Sequence, residues 1–106
     1  MQKIIDKLQK FDTVTLKLIS GEELVANFMS IDDDAILIDK PLALSPTPQG
    51  VGLVPWIFSS KPGETYINRS SILSLVQTDG EVAEAYQQNT SSIVRATVAP
   101  KKILTE

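Results

Sequence analysis

The segment from Val14 to Asp39 (VTLKLISGEELVANFMSIDDDAILID) constrains the fold of this chain more than any other. From Val14 to Leu18, apolar residues alternate with polar ones, which is the period of a half-buried strand. Gly21 can take the positive φ that a tight hairpin turn requires. A long second strand then leads to Asp32, and a third apolar run follows. The segment therefore predicts three consecutive strands, as at the start of a small, strongly bent β-barrel.

The second predicted strand, about 22–31, is apolar on both of its faces. Strand periodicity places Leu24, Ala26 and Phe28 on one face and Val25, Met29 and Ile31 on the other. In so small a protein, such a strand is wrapped into a barrel, covered by a helix or pressed against another subunit. The pattern alone leaves these three arrangements open.

The sequence pattern also predicts the remaining elements of a single domain over residues 1–94. Ile4, Leu8 and Phe11 share one stripe of a helix predicted over about 2–11. Pro41 marks an edge or a bulge in the third strand. A barrel over about 12–77 is expected to contain five strands, at about 12–19, 22–31, 35–45, 50–58 and 65–77, the last interrupted at Arg69-Ser70.

A second helix is predicted over about 80–94. Asp79 is expected to cap it, and Val82, Tyr86, Asn89 or Thr90, and Ile93 form its inner stripe. Residues 95–106 lose this pattern and are expected to form a flexible tail.

Composition narrows the classes of function. The 106 residues include no cysteine and no histidine, and no pair of carboxylates stands out as a general acid and base. We therefore expect no enzyme activity, no cofactor and no metal site. No apolar run approaches the roughly 20 residues of a membrane span, and the N-terminus does not resemble a signal peptide. We expect a cytoplasmic protein.

A helix followed by five strands, with a hairpin after the first strand, resembles the Sm-like fold of the Sm, LSm and bacterial Hfq proteins. The second motif of that superfamily is echoed by residues 67–72 (INRSSI), with Asn68 or Arg69 at the arginine position. Ala35 and Ile36 occupy the place of its RNA-contacting asparagine. The first motif is matched more fully, by Val14, Leu16, Leu18, Gly21, Leu24, Phe28, Ile31 and Asp32.

The resemblance covers about residues 11–77, and it implies both origin and assembly. The long 45–64 excursion and the second helix are additions, and with them the chain looks like a divergent group from marine phages (the cyanophage type), located in the cytoplasm of a bacterial host. Sm-like subunits join their fourth and fifth strands, which implies a homo-oligomeric ring of five to seven subunits. A ring would also cover the free strand edges of a small barrel. The expected subunit interface contains Leu53, Val54, Trp56, Phe58, Ile72 and Leu73, although Trp56 and Phe58 can equally fill the protein's own core.

The expected nucleic-acid contacts come from two loops and from the first helix. Asp32 could position a nucleotide, but a solvated turn at residues 32–34 explains the same residues, and these aspartates lack the spacing of a calcium loop. Arg69 could contact a base or a phosphate, or form an ion pair between subunits. Lys3, Lys7 and Lys10 form a second stripe on the predicted first helix, which could hold phosphates or be an ordinary solvated helix face. The full set is Asp32, Asn68, Arg69, Ser70, Lys3, Lys7 and Lys10.

The resemblance thus implies a non-catalytic protein that binds RNA or single-stranded DNA, in a mainly β fold. Net charge is −3, with six acids and no base between Glu22 and Asp39, so bulk electrostatics do not favour nucleic acid. The alternative is a protein-interaction or structural ring that has lost the RNA site.

Overall fold

The computed structural model describes residues 5–57 and 63–98, with residues 91–98 described by their backbone alone. Antiparallel strands form one bent sheet in the order β4-β3-β2-β1-β6, and β5 pairs with β3. The strands are β1 (Thr13–Leu18), β2 (Glu23–Ile31), β3 (Ala35–Thr47), β4 (Gly50–Pro55), β5 (Glu64–Asn68) and β6 (Ile72–Gln77). One turn of 3₁₀ helix, Arg69–Ser71, joins β5 to β6, and helix α1 spans Gly80–Val98.

The prediction of five strands is wrong, because the last predicted strand is two strands. β5 pairs with β3 and β6 pairs with β1. The chain must therefore cross from one side of the sheet to the other, and the 3₁₀ turn at Arg69 makes this crossing. The interruption expected at Arg69-Ser70 is present and is the boundary between the two strands.

The N-terminal helix predicted over 2–11 is also wrong in its extent. Ile5 is helical, turns occupy residues 6, 7, 10 and 11, and residues 1–4 lie outside the described part. Phe11 has a φ of 75°, and its amide donates to the carbonyl of Phe28 at 2.6 Å. This bond extends the β1–β2 pairing toward the N-terminus and competes with a short helix, whose nucleation is costly in any case. Ile5 and Leu8 still pack against the core.

The main core lies on the inner face of the bent sheet. β2 contributes Leu24, Ala26 and Phe28 to it, as its alternation predicts. An irregularity in the pairing after Phe28 leaves Met29 without a partner on β3 and brings Ile31 opposite Ile36. Ile31 therefore joins the inner face instead of the outer face that strict alternation predicts. The other buried members are Val14, Leu16, Leu18, Ile36, Ile38, Ile67, Ile72 and Leu75.

The outer face of β2 is covered by α1. Val25 and Leu42 form a second buried cluster with Tyr86, and Val82 packs against it. Of the three arrangements left open by the sequence, two therefore hold within one chain, since one face of β2 lines the barrel and the other meets a helix. The predicted inner stripe of the helix is confirmed at Val82, Tyr86 and Thr90, whereas the side chain of Ile93 lies outside the described part of the chain. Asp79 accepts a hydrogen bond from the amide of Glu81 at 3.2 Å, as expected for a cap.

Tyr86 also contacts an irregularity in β3. Leu42 pairs with Val25 and Asp39 pairs with Asn27, so three residue steps along β3 lie opposite two along β2. β3 therefore bulges at Lys40 and Pro41. Lys40 has a φ of 52°, and Pro41 has no amide to donate to the ladder. The Tyr86 hydroxyl donates to the freed carbonyls of Asp39 and Lys40, at 3.0 and 2.8 Å. Burial raises the pKa of Tyr86, so the hydroxyl stays protonated and remains a donor.

Candidate nucleic-acid interface

Asp32 organises the turn between β2 and β3. Its Oδ1 accepts hydrogen bonds from the amides of Asp34 and Ala35 at 2.8 and 2.9 Å. The Asp32 amide in turn donates to the carbonyl of Ala35 at 3.0 Å. The solvated turn considered for residues 32–34 is thus present, and Asp32 is the residue that closes it.

Arg69 ties this turn to the 3₁₀ helix. Its Nη1 donates to the carbonyl oxygen of Asp32 at 2.8 Å, and its amide donates to the carbonyl of Asp34 at 2.8 Å. The half-buried arginine therefore bridges two loops that lie 37 residues apart in sequence. A guanidinium carries five N–H donors, so donors remain for a ligand.

The pairing of β3 with β5 places Asn68 beside the same turn. Asn68 is the cross-strand partner of Ala35, and its side chain is exposed, as is that of the nearby Ser70. Directly paired residues project to the same side of a sheet. The RNA-contacting asparagine that the resemblance places on β3 is absent, and Ala35 occupies its place. Asn68 on β5 carries an asparagine amide next to that position. The register between the two strands could have revealed this, but the sequence does not fix that register.

The electrostatics of the turn favour an ionised Asp32. Hydrogen bonds from the amides of Ala35 and Asp34 lower the pKa of its carboxyl, and the nearby Arg69 charge acts in the same direction. The carboxylate accepts its hydrogen bonds from the backbone amides of Asp34 and Ala35. Arg69 lies beside it as a fixed cation, which reduces the repulsion that Asp32 would exert on a phosphate.

The lysines do not form the expected helical stripe. Lys7 and Lys10 are exposed on the turns before β1, and Lys3 lies outside the described residues. The Nζ of Lys10 is 5.7 Å from the centre of the Phe11 ring, a cation–π contact. Within the described residues, no hydrogen bond links Lys7 or Lys10 to Asp32 or Arg69.

The residues expected at a subunit interface divide between interior and surface. Leu53 packs against the cluster under α1, Ile72 is buried in the main core, and Leu73 is 67% exposed. Val54 is partly exposed on β4, while Phe58 lies outside the described residues. Trp56 packs against the core, and its indole N–H donates to Glu22 at 2.8 Å. No sequence signal connects Trp56 to Glu22, since they lie 34 residues apart.

The described part of the chain contains neither a candidate metal site nor a candidate membrane-spanning helix. Residues 5–57 and 63–98 contain no group of three acidic side chains placed to hold a metal ion. No helix in those ranges is long and apolar enough to cross a lipid bilayer.

A family model of the Sm_like domain matches residues 15–87, which is more than half of the chain. No curated protein matches the sequence. The matched span begins in β1, includes both loops of the candidate interface and ends within α1.

Proposed function

The chain belongs to the Sm-like family, and we propose that it forms a ring that binds RNA or single-stranded DNA without catalysing a reaction. The observation that carries this proposal is the cluster in which Arg69 joins the Asp32 turn, with Asn68 exposed beside them. Fold alone is a weak basis for function, so the argument depends on the chemistry of this cluster.

The cluster offers the two kinds of contact that single-stranded nucleic acid uses. A guanidinium binds phosphate through several N–H groups and stacks on bases. Arg69 is held in place by its bond to Asp32, which reduces the conformational entropy lost on binding. The exposed amide of Asn68 can both donate to and accept from a base edge. Repetition of these groups around a ring would give one strand several equivalent sites.

Two free strand edges support assembly. In the described residues, β5 pairs only with β3, and β6 pairs only with β1. Tyr66 on β5 is 74% exposed, and Val76 on β6 is 46% exposed. The fourth and fifth strands expected from the sequence, at about 50–58 and 65–77, correspond to β4 and to β5 with β6, and we assign the ring contact to β5 and β6. Pairing of β5 with β6 of the next subunit would satisfy both of these edges around a closed ring.

Fluorescence anisotropy tests the proposal with short A-rich and U-rich RNA and matching single-stranded DNA. We expect saturable binding that weakens steeply as salt rises, because phosphate contacts release counterions. Absence of binding at low salt by a correctly assembled protein would contradict the nucleic-acid function.

The alternative is a protein-interaction ring that keeps the fold without the RNA site. It is favoured by the acidic surface next to the cluster, since Asp33 and Asp34 are both exposed on the same turn. Their charges repel phosphate. A ring that binds no nucleic acid but captures a protein with little dependence on salt would support this alternative.

The proposal also covers the origin of the protein and its location in the cell. The long β3–β4 hairpin and α1 are the additions on which we base a phage-type Sm-like protein. The cytoplasm of a bacterial host would then be its site of action.

A further inference from the structure

A cleft of about 330 Å³ lies between the β1–β2 turn, β5 and the residue that follows β4. Trp56 and Tyr66 contribute aromatic surface to it, and Ile19 adds aliphatic surface. Its polar groups include Glu22, Ser20 and Asn68. Arg69 does not line the cleft, so the cleft is distinct from the cluster proposed to bind nucleic acid, although Asn68 borders both.

The carboxylate of Glu22 is fixed in position at this cleft. Ser20 donates from its hydroxyl to Oε1 at 2.6 Å, and the indole N–H of Trp56 donates to Oε2 at 2.8 Å. These two hydrogen bonds, with that from Ser20 the stronger influence, lower the pKa of Glu22. A carboxylate oxygen accepts more than one hydrogen bond, so acceptor capacity remains.

The charge balance of the cleft is negative. Among the residues that the structure describes, none that lines the cleft is lysine or arginine, so the Glu22 charge has no positive counterpart within this described lining. A phosphate or a carboxylate ligand would be repelled. A cation would be attracted by Glu22 and by the faces of the aromatic rings.

We propose that this cleft binds an arginine side chain presented by a partner polypeptide. A planar guanidinium stacks on aromatic rings and donates several N–H groups at once to a carboxylate, which a lysine ammonium does not do in the same geometry. Trp56 and Tyr66 provide the rings, Glu22 the anion, and the Asn68 amide oxygen a further acceptor. Charge complementarity thus selects the occupant, and the inference does not depend on nucleic-acid binding.

The intrinsic fluorescence of the protein can test this directly, because Trp56 is the single tryptophan. The probes are capped Gly-Gly-Arg-Gly-Gly and the same peptide with neutral citrulline, which has nearly the same shape, in place of arginine. We expect a saturable change in Trp56 emission with the arginine peptide and no saturable change with the citrulline peptide. Equal responses to the two peptides, or no saturable response to either, would overturn the proposal.

A pair of charge-removing variants identifies the carboxylate. Glu22→Gln should weaken binding of the arginine peptide by roughly two- to fivefold, as expected for loss of one favourable charged contact at an exposed site. Glu84→Gln removes the same charge from an exposed position on α1 and should leave the affinity unchanged. Equal affinity in the wild type and the Glu22 variant, with the far-ultraviolet circular dichroism of both unchanged, would exclude Glu22 as the anchor and overturn the proposal. Tyr66→Leu, at an exposed position, should likewise weaken binding, because it removes an aromatic face on which the guanidinium stacks.

Discussion

At the scale of single residues, Arg69 is the side chain on which the candidate interface depends. Arg69→Gln keeps a polar side chain but removes the charge. We expect nucleic-acid affinity to fall for all sequences and the slope of affinity against salt to decrease by about one, as for the loss of one phosphate contact. Anisotropy titrations over a range of salt concentrations measure both quantities.

The variant Arg69→Lys separates charge from geometry. Lysine restores the charge but not the planar set of donors, so we expect only partial recovery of affinity. Unchanged affinity in Arg69→Gln would contradict a role for this residue in nucleic-acid binding, provided the oligomeric mass is also unchanged.

Asp32 predicts a specific pH dependence of stability. Its pKa is lowered in the folded chain from an ordinary value of 3.8, so its contribution to stability is present above 3.8 and is lost as pH falls through the folded value. Asp32→Asn retains an oxygen for the two amides but not the charge. We expect wild type to unfold at higher urea than the variant near neutral pH and the two midpoints to converge in acid. A difference independent of pH would show that the charge of Asp32 does not stabilise the turn.

Tyr86 combines an apolar ring with a hydroxyl directed at the bulge in β3. Tyr86→Phe removes only the bond to the carbonyls of Asp39 and Lys40, and we expect a loss of about 1 kcal/mol in the free energy of unfolding. Tyr86→Ala also empties a fully buried site and should cost roughly 3–5 kcal/mol. Tyr66→Phe, at an exposed position, is the matched control and should change little. Urea unfolding measures all three, and equal stability of the Tyr86→Phe variant and wild type would refute the role of the hydroxyl.

At the scale of elements, α1 is an integral part of the fold because it covers the outer face of β2 and β3. Polar contacts accompany the apolar ones. Gln87 donates to Thr13 on β1 at 2.9 Å and, more weakly, to buried Asn27 on β2 at 3.4 Å. Asn27 in turn donates to Asp39 at 3.4 Å. Among the side chains that the structure describes, no buried polar atom lacks a hydrogen-bond partner.

A charge placed under α1 should detach it. Val82→Asp would put an unpaired carboxylate against Val25, Leu42 and Tyr86, at a cost of several kcal/mol. Ala85→Asp adds the same charge at an exposed position of the helix and serves as the control. We expect faster amide hydrogen exchange across α1 in the first variant only. Equal protection in both variants would mean that this contact does not hold the helix.

Some helices and strands could be predicted from the sequence more fully than others. The hairpin at Gly21, whose φ is 103°, and the inner stripe of α1 follow from local pattern; the hairpin is confirmed, and the stripe is confirmed at Val82, Tyr86 and Thr90. The extent of the N-terminal helix was not predictable, because tertiary pairing of Phe11 with Phe28 prevails over local helical spacing. The sequence could identify which residues belong to the candidate site but not how they are arranged. Their arrangement depends on the register of β3 with β5, and no single segment of the sequence determines a long-range register.

At the scale of the whole molecule, a ring should depend on the free edge of β6. Val76→Lys places a charge among the exposed apolar residues of that edge and should shift the mass of the assembly toward the monomer. Val51→Lys is the matched control, because Val51 is also exposed and apolar but lies on β4. Light scattering measures the mass. Dissociation of both proteins, or of the control alone, would place the subunit contact elsewhere.

Native mass spectrometry of the protein mixed with short U-rich or A-rich RNA tests assembly and binding together. The result we predict is a closed oligomer of five to seven subunits that carries RNA as an intact assembly and whose Arg69→Gln variant forms the same oligomer with less RNA bound. A monomer, or a full oligomer without RNA at low ionic strength, would contradict the proposal that this Sm-like chain is a nucleic-acid-binding ring.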